Sequence, residues 1–407
     1  TARLPAGEYT ITASRGFEYE IATAKLTLAH GDDKSAAFTL KRSVDTTGYM
    51  CGDFHVHAMW SPDSSDLYET KVAAMAAAGL EIPVITDHEY IADINPYIVK
   101  AGLQQWIRGI VGEELTTFIY GHFNPFPLTQ DPKQPNMGAV VWFDKTPAAL
   151  FADVRKRWPG AVMQINHPRS KAKMGAYFNA AGYDPSTGKA SNPGLWNDNF
   201  DAVEAFNGSS FGANYKGTVQ DWFSFLDRGL RVTATGNSDN HHAYRSEVGY
   251  PRNYVELGTD DPTQLDLAAF SAAVKKQRVV VSGGPFVTVA VGAQGLGRMA
   301  SMSAGTAQLA IKVQAPTWMS ADKLRVFLGG KEVQTITLDA STADPQNPVV
   351  RYDGTVTLSA SADSWVVVVV EGSGSLAPVS TGSPFAVTNP IYLDVDGNGA
   401  YDPPKKP

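Results

Sequence analysis

Cysteine is almost absent from this chain: one, Cys51, stands in 407 residues. It has no partner within the chain, so an intrachain disulfide and a sulfur-rich zinc site are both excluded. At the start of an apolar strand, Cys51 reads as a small buried residue. Long apolar runs are missing too. The run Trp365 to Val370 falls far short of the roughly 18 apolar residues that a membrane helix needs, and reads as a buried strand. Basic charge is also in deficit. A formal net charge of −7 argues against a general nucleic-acid binder, which needs a basic face to neutralise phosphates. Small substrates stay open, because a bound metal's local charge outweighs a mildly acidic surface. The sequence opens at Thr1 with neither an initiator methionine nor a secretory signal. The expectation is a processed, exported chain, periplasmic or secreted, with its oligomeric state open.

Composition is that of a globular protein, and the length allows two or three domains. Residues 1–48 read as an N-terminal β segment, with GEYTITASR, YEIATAKLTL and SAAFTLKR as strands and His30 in a solvated turn. Residues 49–286 alternate strand and helix. The strands are CGDFHVH, IPVITDH, IRGIVGEELTT, GAVVWF, AVMQINH, DAVEAFNG, RVTATGNSD and VVVSGG. One helix follows Ser65 and Asp66 and ends at Gly79. A second is capped by Thr146 and opened by Pro147, and a third runs near Val219 to Asp227. Such alternation predicts a parallel α/β barrel. Residues 287–407 carry strands at sandwich-like spacing (FVTVAVG, AQLAIKVQAP, KLRVFLGG, EVQTITL, DGTVTLSA, SWVVVVVEG), predicting a C-terminal β-sandwich with a DVDGNG tail.

Metal-capable side chains recur at the ends of the predicted barrel strands: His55-Val56-His57, Asp87-His88, Glu113-Glu114, His167 and Asp239-Asn240-His241. Asp63 and His122 follow shortly after the first and third of these. Strand ends of a parallel barrel share one face, where active sites are built. His-x-His and Asp-x-His on a strand put both side chains on the same side, because direction alternates with period two. Imidazole and carboxylate without sulfur suit zinc, manganese or iron. Singly, each residue reads as well as a satisfied core histidine or a helix cap. Chance would have to place most of the histidines together on one face.

The strings GDFHVHAMWSPD, TDHE, GEELTT, GHFN, NHPR and GNSDNHH resemble the successive motifs of the PHP (polymerase and histidinol phosphatase) family. The longer strings GHFNPFPL, GNSDNHHAYRSEVGYPRNYV and VVVSGGPF resemble its CehA/McbA branch, which includes aryl carbamate hydrolases. The resemblance covers about residues 49 to 286. It implies a distorted seven-stranded (β/α) barrel and two or three divalent metal ions. One ion would take His55, His57, Glu114 and Asp239. A second would share Glu114 and take His122 and His167. A third would take Asp63, His88 and His241, with Asp63 at a position that varies in the family.

Such a cluster would activate water for hydrolysis. Asp87 is a candidate proton shuttle or, from behind, a residue that orients His88. Arg169 is a candidate for polarising the substrate, against a structural salt bridge. Asn207 and Arg245 are candidate substrate contacts, while Lys171 and Lys173 read as a solvated loop face. In the tail, Asp394, Asp396, Asn398 and Asp402 match part of a calcium loop, though Lys405 stands where its bidentate glutamate would fall; a plain Asp/Gly turn is the competing reading. Three functions follow: a phosphomonoesterase or phosphodiesterase; a carbamate or aryl carboxyl-ester hydrolase, with Trp60, Phe123, Phe126 and Tyr244 as pocket candidates; or a non-catalytic, metal-stabilised binding module.

Overall fold

The computed structural model describes residues 2–169, 175–244, 247–302 and 304–405. The architecture is mixed α/β. One five-stranded sheet runs Thr233–Asn237, Ala202–Asn207, Val162–Ile165, Gly121–Phe126, Leu115–Thr117. The first three strands are parallel, Gly121–Phe126 runs against them, and Leu115–Thr117, antiparallel to Gly121–Phe126, runs with them again. Val84–Ile85 and Ile110–Val111 form a separate parallel pair.

Single backbone links join these pieces. Leu128 N–H donates to the Val111 carbonyl at 2.9 Å. Val56 bridges Ile85 on one side and Asn240 on the other, both in parallel sense, and His57 N–H donates to the Asn240 carbonyl at 2.9 Å. The segments carrying His55, Ile85, Val111, Phe126, Ile165, Asn207 and Asn237 are thus successive neighbours, and the last returns to the first.

The other large sheet has nine strands. Tyr49–Gly52, Arg252–Glu256, Val279–Ser282, Phe385–Thr388, Ser364–Glu371, Ile391–Asp394 and Met299–Ser301 form its main path. Lys323–Leu328 and Lys331–Thr337 branch from Ser364–Glu371. It crosses residue 286 without a break, because Val279–Ser282 pairs directly with Phe385–Thr388. The valine run at its centre, Val366 to Val370, is buried on both faces, as its lack of polar alternation predicts. A three-stranded sheet of Phe286–Val291, Thr306–Gln314 and Val350–Ser359 lies beyond.

Two expected strands are not there. In GAVVWF, Asn136, Met137 and Gly138 take left-handed backbone, which cannot continue a pleated strand. Residues 139–143 form a loop instead, with Val141 and Phe143 exposed. SAAFTLKR keeps only a single bridge, Tyr19 to Arg42. Among the elements not foreseen are the strands Gly121–Phe126, Arg252–Glu256 and Phe385–Thr388, and the helix Leu267–Lys275 with Asp266 accepting from Ala268 N and Ala269 N.

Thr146 caps Pro147–Arg157 through Ala149 N, a contact that contributes about 1 kcal/mol. The helix Tyr68–Ala77 has no side-chain cap. Asp66 pairs instead with Lys71 at 2.9 Å and accepts the Ala243 N–H, which ties this helix to the loop after His241.

Candidate metal centre

Glu114 is the hub. It lies next to His88 across a parallel bridge, and its buried carboxylate meets five imidazoles. Oε1 is 3.3 Å from His55 Nε2, 3.2 Å from His122 Nδ1 and 3.5 Å from His167 Nε2. Oε2 is 3.4 Å from His57 Nε2 and 3.0 Å from His88 Nδ1. Asp239 closes the other side, its Oδ1 3.2 Å from both His55 Nε2 and His57 Nε2. Asp63 reaches in from the mouth, 3.2 Å from His88 Nε2 and 3.1 Å from His241 Nε2. All nine expected ligands therefore gather in one cluster. His122 arrives there by a route that strand alternation did not suggest. It sits near the start of Gly121–Phe126, and only the antiparallel pairing with Val162–Ile165 brings it beside Asn166 and His167.

The electrostatics are those of a site short of positive charge. Burial pushes the Glu114 carboxyl up, but His55 and the other imidazoles outweigh it and hold it well below the usual range. Asp239 is likewise held low by His55 and His57 against burial. Burial disfavours a charged His55, yet Asp239, Glu114 and Glu204 together push its ionisation well up. Burial dominates at His57 and lowers it.

Hydrogen bonds behind the rings fix which nitrogen faces the cluster. His55 Nδ1 lies 2.9 Å from the Glu204 carboxylate, which only accepts, so Nδ1 carries a hydrogen and Nε2 is the nitrogen that faces the cluster. His57 Nδ1 donates to Ser61 Oγ at 2.9 Å, and Ser61 in turn donates to Asp87 Oδ1 at 3.1 Å. His241 Nδ1 donates to the Asp239 carbonyl at 2.8 Å.

Among the described residues, His55 Nε2, His57 Nε2 and His122 Nδ1 are buried and make no hydrogen bond. Leaving one buried polar atom unpaired costs about 1–3 kcal/mol. Three that converge with ionised carboxylates form a donor set that divalent cations satisfy. Four overlapping groups of ligand atoms meet the spacing for an ion: His55/His57/Glu114, His55/His167/Asp239, Glu114/His122/His167 and His57/Asp63/His88/His241. The residues fit metal.

No protein-family model and no curated protein matches the chain. Among solved structures, it is similar to a two-domain protein from Bacteroides vulgatus containing a predicted PHP-like metal-dependent phosphoesterase. Identity is 16%, with 89% of this chain and 100% of that one covered and a TM-score of 0.44. A candidate metal-dependent phosphoesterase from Bifidobacterium adolescentis is 15% identical over 52% of this chain and 93% of its own, with a TM-score of 0.33. Likenesses this distant fix neither the fold nor the activity.

The residues expected around the metals fall differently. Asp87 does not touch the His88 ring. It accepts from Ala58 N, Ser61 Oγ and Tyr68 OH, and so reaches His57 through Ser61. His88 Nδ1 faces Thr116 Oγ1 instead. Arg169 forms the structural salt bridge: its fork grips Asp221 at 2.8 and 2.7 Å and also donates to the Tyr183 carbonyl. Asn207 donates to Glu204 and Asp239, and it lines a cavity of about 210 Å³ with His167 and Arg169. Arg245, Lys171 and Lys173 lie outside the described residues.

In the tail, the Asp394 carboxylate accepts from Gly397 N and Gly399 N, and Asn398 donates to Asp396 and Asp402. That is the bonding of an Asp/Gly turn. Of the aromatic pocket candidates, Trp60 is exposed and stacks on Tyr90, and Tyr244 is exposed. Phe123 and Phe126 are core residues.

Sequence reasoning missed Glu204, a buried carboxylate on Ala202–Asn207, and gave Glu113 no role. Glu113 accepts the Val140 N–H and anchors the loop 139–143 beside the cluster. That loop walls a cavity of about 600 Å³, lined by Phe118 and Val140 to Phe143 at one end and by Asp63, His88 and His122 at the other.

Proposed function

We propose that the chain is a PHP-type metal-dependent hydrolase acting on phosphoesters, monoester or diester. The carrying observation is the convergence of three unpartnered, buried imidazole nitrogens on the Glu114 carboxylate. The seven successive segments and their return link support a distorted (β/α)7 barrel over 49–286, extended by β-structure on either side. Two or three ions of zinc, manganese or iron would be held, the inner ones by His55, His57, Glu114, His122, His167 and Asp239, the outer one by Asp63, His88 and His241. Such ions lower the pKa of water toward neutrality and offset negative charge developing on the attacked group.

The chain's own residues set the stage for that chemistry. Glu204, Ser61 and the Asp239 carbonyl each fix a ring tautomer. The packed core walls the inner side off from bulk water, leaving His55, His57 and Glu114 sealed. Access is from the mouth, where the Asp63 side chain is 51% exposed.

The cavity favours a second reading, a carbamate or aryl carboxyl-ester hydrolase. Trp142 stacks on Phe143 with ring centres 4.1 Å apart, and Phe118 meets Trp142 edge-on at 5.5 Å. Those faces suit an aromatic group held beside His88 and His122.

The test is metal content by mass spectrometry on protein purified without chelator. Turnover of p-nitrophenyl phosphate, bis-p-nitrophenyl phosphate and p-nitrophenyl acetate is measured on the same sample. Two or three ions per chain are expected, with metal and turnover falling more than about 100-fold in His55→Ala, above the range for residues that merely support a ligand. The preferred substrate separates the two readings. Protein that takes up the ions yet turns over none of the three substrates would leave the metal-stabilised binding module standing, and protein that stays metal-free with all three metals would overturn the metal-dependent reading.

A further inference from the structure

Glu204 holds a position that none of the proposed ligands explains. It is buried on the strand Ala202–Asn207, and each of its oxygens receives two donors. Oε1 takes His55 Nδ1–H at 2.9 Å and Asn237 Nδ2 at 3.0 Å. Oε2 takes the His167 backbone N–H at 2.7 Å and Asn207 Nδ2 at 2.9 Å. Asn207 passes the link on, donating also to Asp239 Oδ2 at 3.1 Å.

Two of the residues reached this way have left-handed backbone, His167 at φ 24° and Asp239 at φ 52°. Residues other than glycine hold that region only where their surroundings over-determine it. Here the surroundings include one carboxylate, joined directly to His167 and through Asn207 to Asp239.

We infer that Glu204, with Asn207 as its extension, is the positioning residue of the inner metal site: one acceptor-only group that sets the His55 tautomer and holds His167 and Asp239 in place. The inference rests on the proposed hydrolase reading, and it concerns only the His55/His167/Asp239 side of the cluster. The outer group of Asp63, His88 and His241 has no bond to Glu204 among those described.

The chemistry makes Glu204→Gln a sharp test. A glutamine has the same shape but turns one of the two acceptors into a donor. Facing His167, its NH₂ would confront a backbone N–H that cannot change. It therefore faces His55, whose Nδ1 must become an acceptor. The ring hydrogen moves to Nε2, and the lone pair aimed at the cluster is lost.

The experiment compares wild type, Glu204→Gln and Asn207→Ala for zinc bound per chain across a zinc titration. Histidine ring tautomers are read by ¹⁵N NMR on the same samples, with His55→Ala used to assign the signal. Expected for Glu204→Gln are inner-site zinc affinity lower by about 10- to 100-fold, His55 switched to the Nε2–H form, and an unchanged ion at Asp63/His88/His241. Asn207→Ala, which leaves His55 alone, should weaken zinc near the bottom of that range and keep the tautomer. It also serves if the glutamine variant does not fold.

Unchanged zinc affinity and tautomer in Glu204→Gln would overturn the inference, as would parallel loss of the outer ion. If wild type takes up none of zinc, manganese or iron, the hydrolase reading fails, and the His55 ring comparison still decides the role of Glu204.

Discussion

The cluster has two halves built on different plans. His55, His57 and Glu114 are essentially sealed from solvent, and each imidazole there is fixed from behind by a group outside the cluster. His88, His241 and Asp63 lie at the mouth, the last with half of its side chain exposed. His241 donates to the carbonyl of its near neighbour Asp239 and stacks on His57, with ring centres 4.2 Å apart. The inner half is sealed and backed by Glu204 and Ser61, while the outer half, with His88 against Thr116 and His241 on the Asp239 carbonyl, opens to solvent at Asp63. Ions held by the two halves should differ in affinity and in ease of exchange.

That contrast can be broken in three ways, the largest effect first. If inner rigidity came from general packing of the wall, loosening the wall would loosen the metal. Arg169→Ala removes the partner of the buried Asp221 two residues from His167. It is expected to lower unfolding stability by about 3 kcal/mol, the low end for breaking a buried pair. Denaturant melts would show the loss, with zinc per chain unchanged. A matching fall in zinc would erase the distinction.

Ser61→Ala cuts the relay from Asp87 to His57 and should weaken inner-site zinc by about tenfold, read by competition with a chromophoric chelator. An unchanged affinity would mean that His57 needs no support from behind. Asp63→Asn has the smallest reach. One ion should leave at lower chelator concentration, with the inner ions retained. Loss of all ions together would show that the halves act as one site.

The ligands were legible in the sequence because a period-two strand has to put His55 and His57 on one side, and because parallel strand ends share a face. Glu204 was not. In DAVEAFNG it occupies an alternate position that on a one-faced strand would point to water, and only burial on both sides turns it inward. The role of Arg169 was undecidable from NHPRS, since Asp221 lies 52 residues away. GAVVWF has the composition of a strand, yet the left-handed residues before it decide otherwise. The change in pattern near residue 287 was real in composition, but hydrogen bonding runs straight across it.

The strand Phe385–Thr388 lies between Val279–Ser282 and Ser364–Glu371. Next to it, the Asn389 side chain donates to the carbonyls of Ala234 and Val279 and accepts the Ala234 N–H, a partner 155 residues earlier. During synthesis the early strands therefore wait with an open edge until Phe385–Thr388 has been made, about a hundred residues later. Contacts this distant in sequence make folding slow and leave that edge free for wrong partners meanwhile. Every residue of the metal cluster has emerged by His241, so the histidines can gather while the sheet behind them is still unfinished.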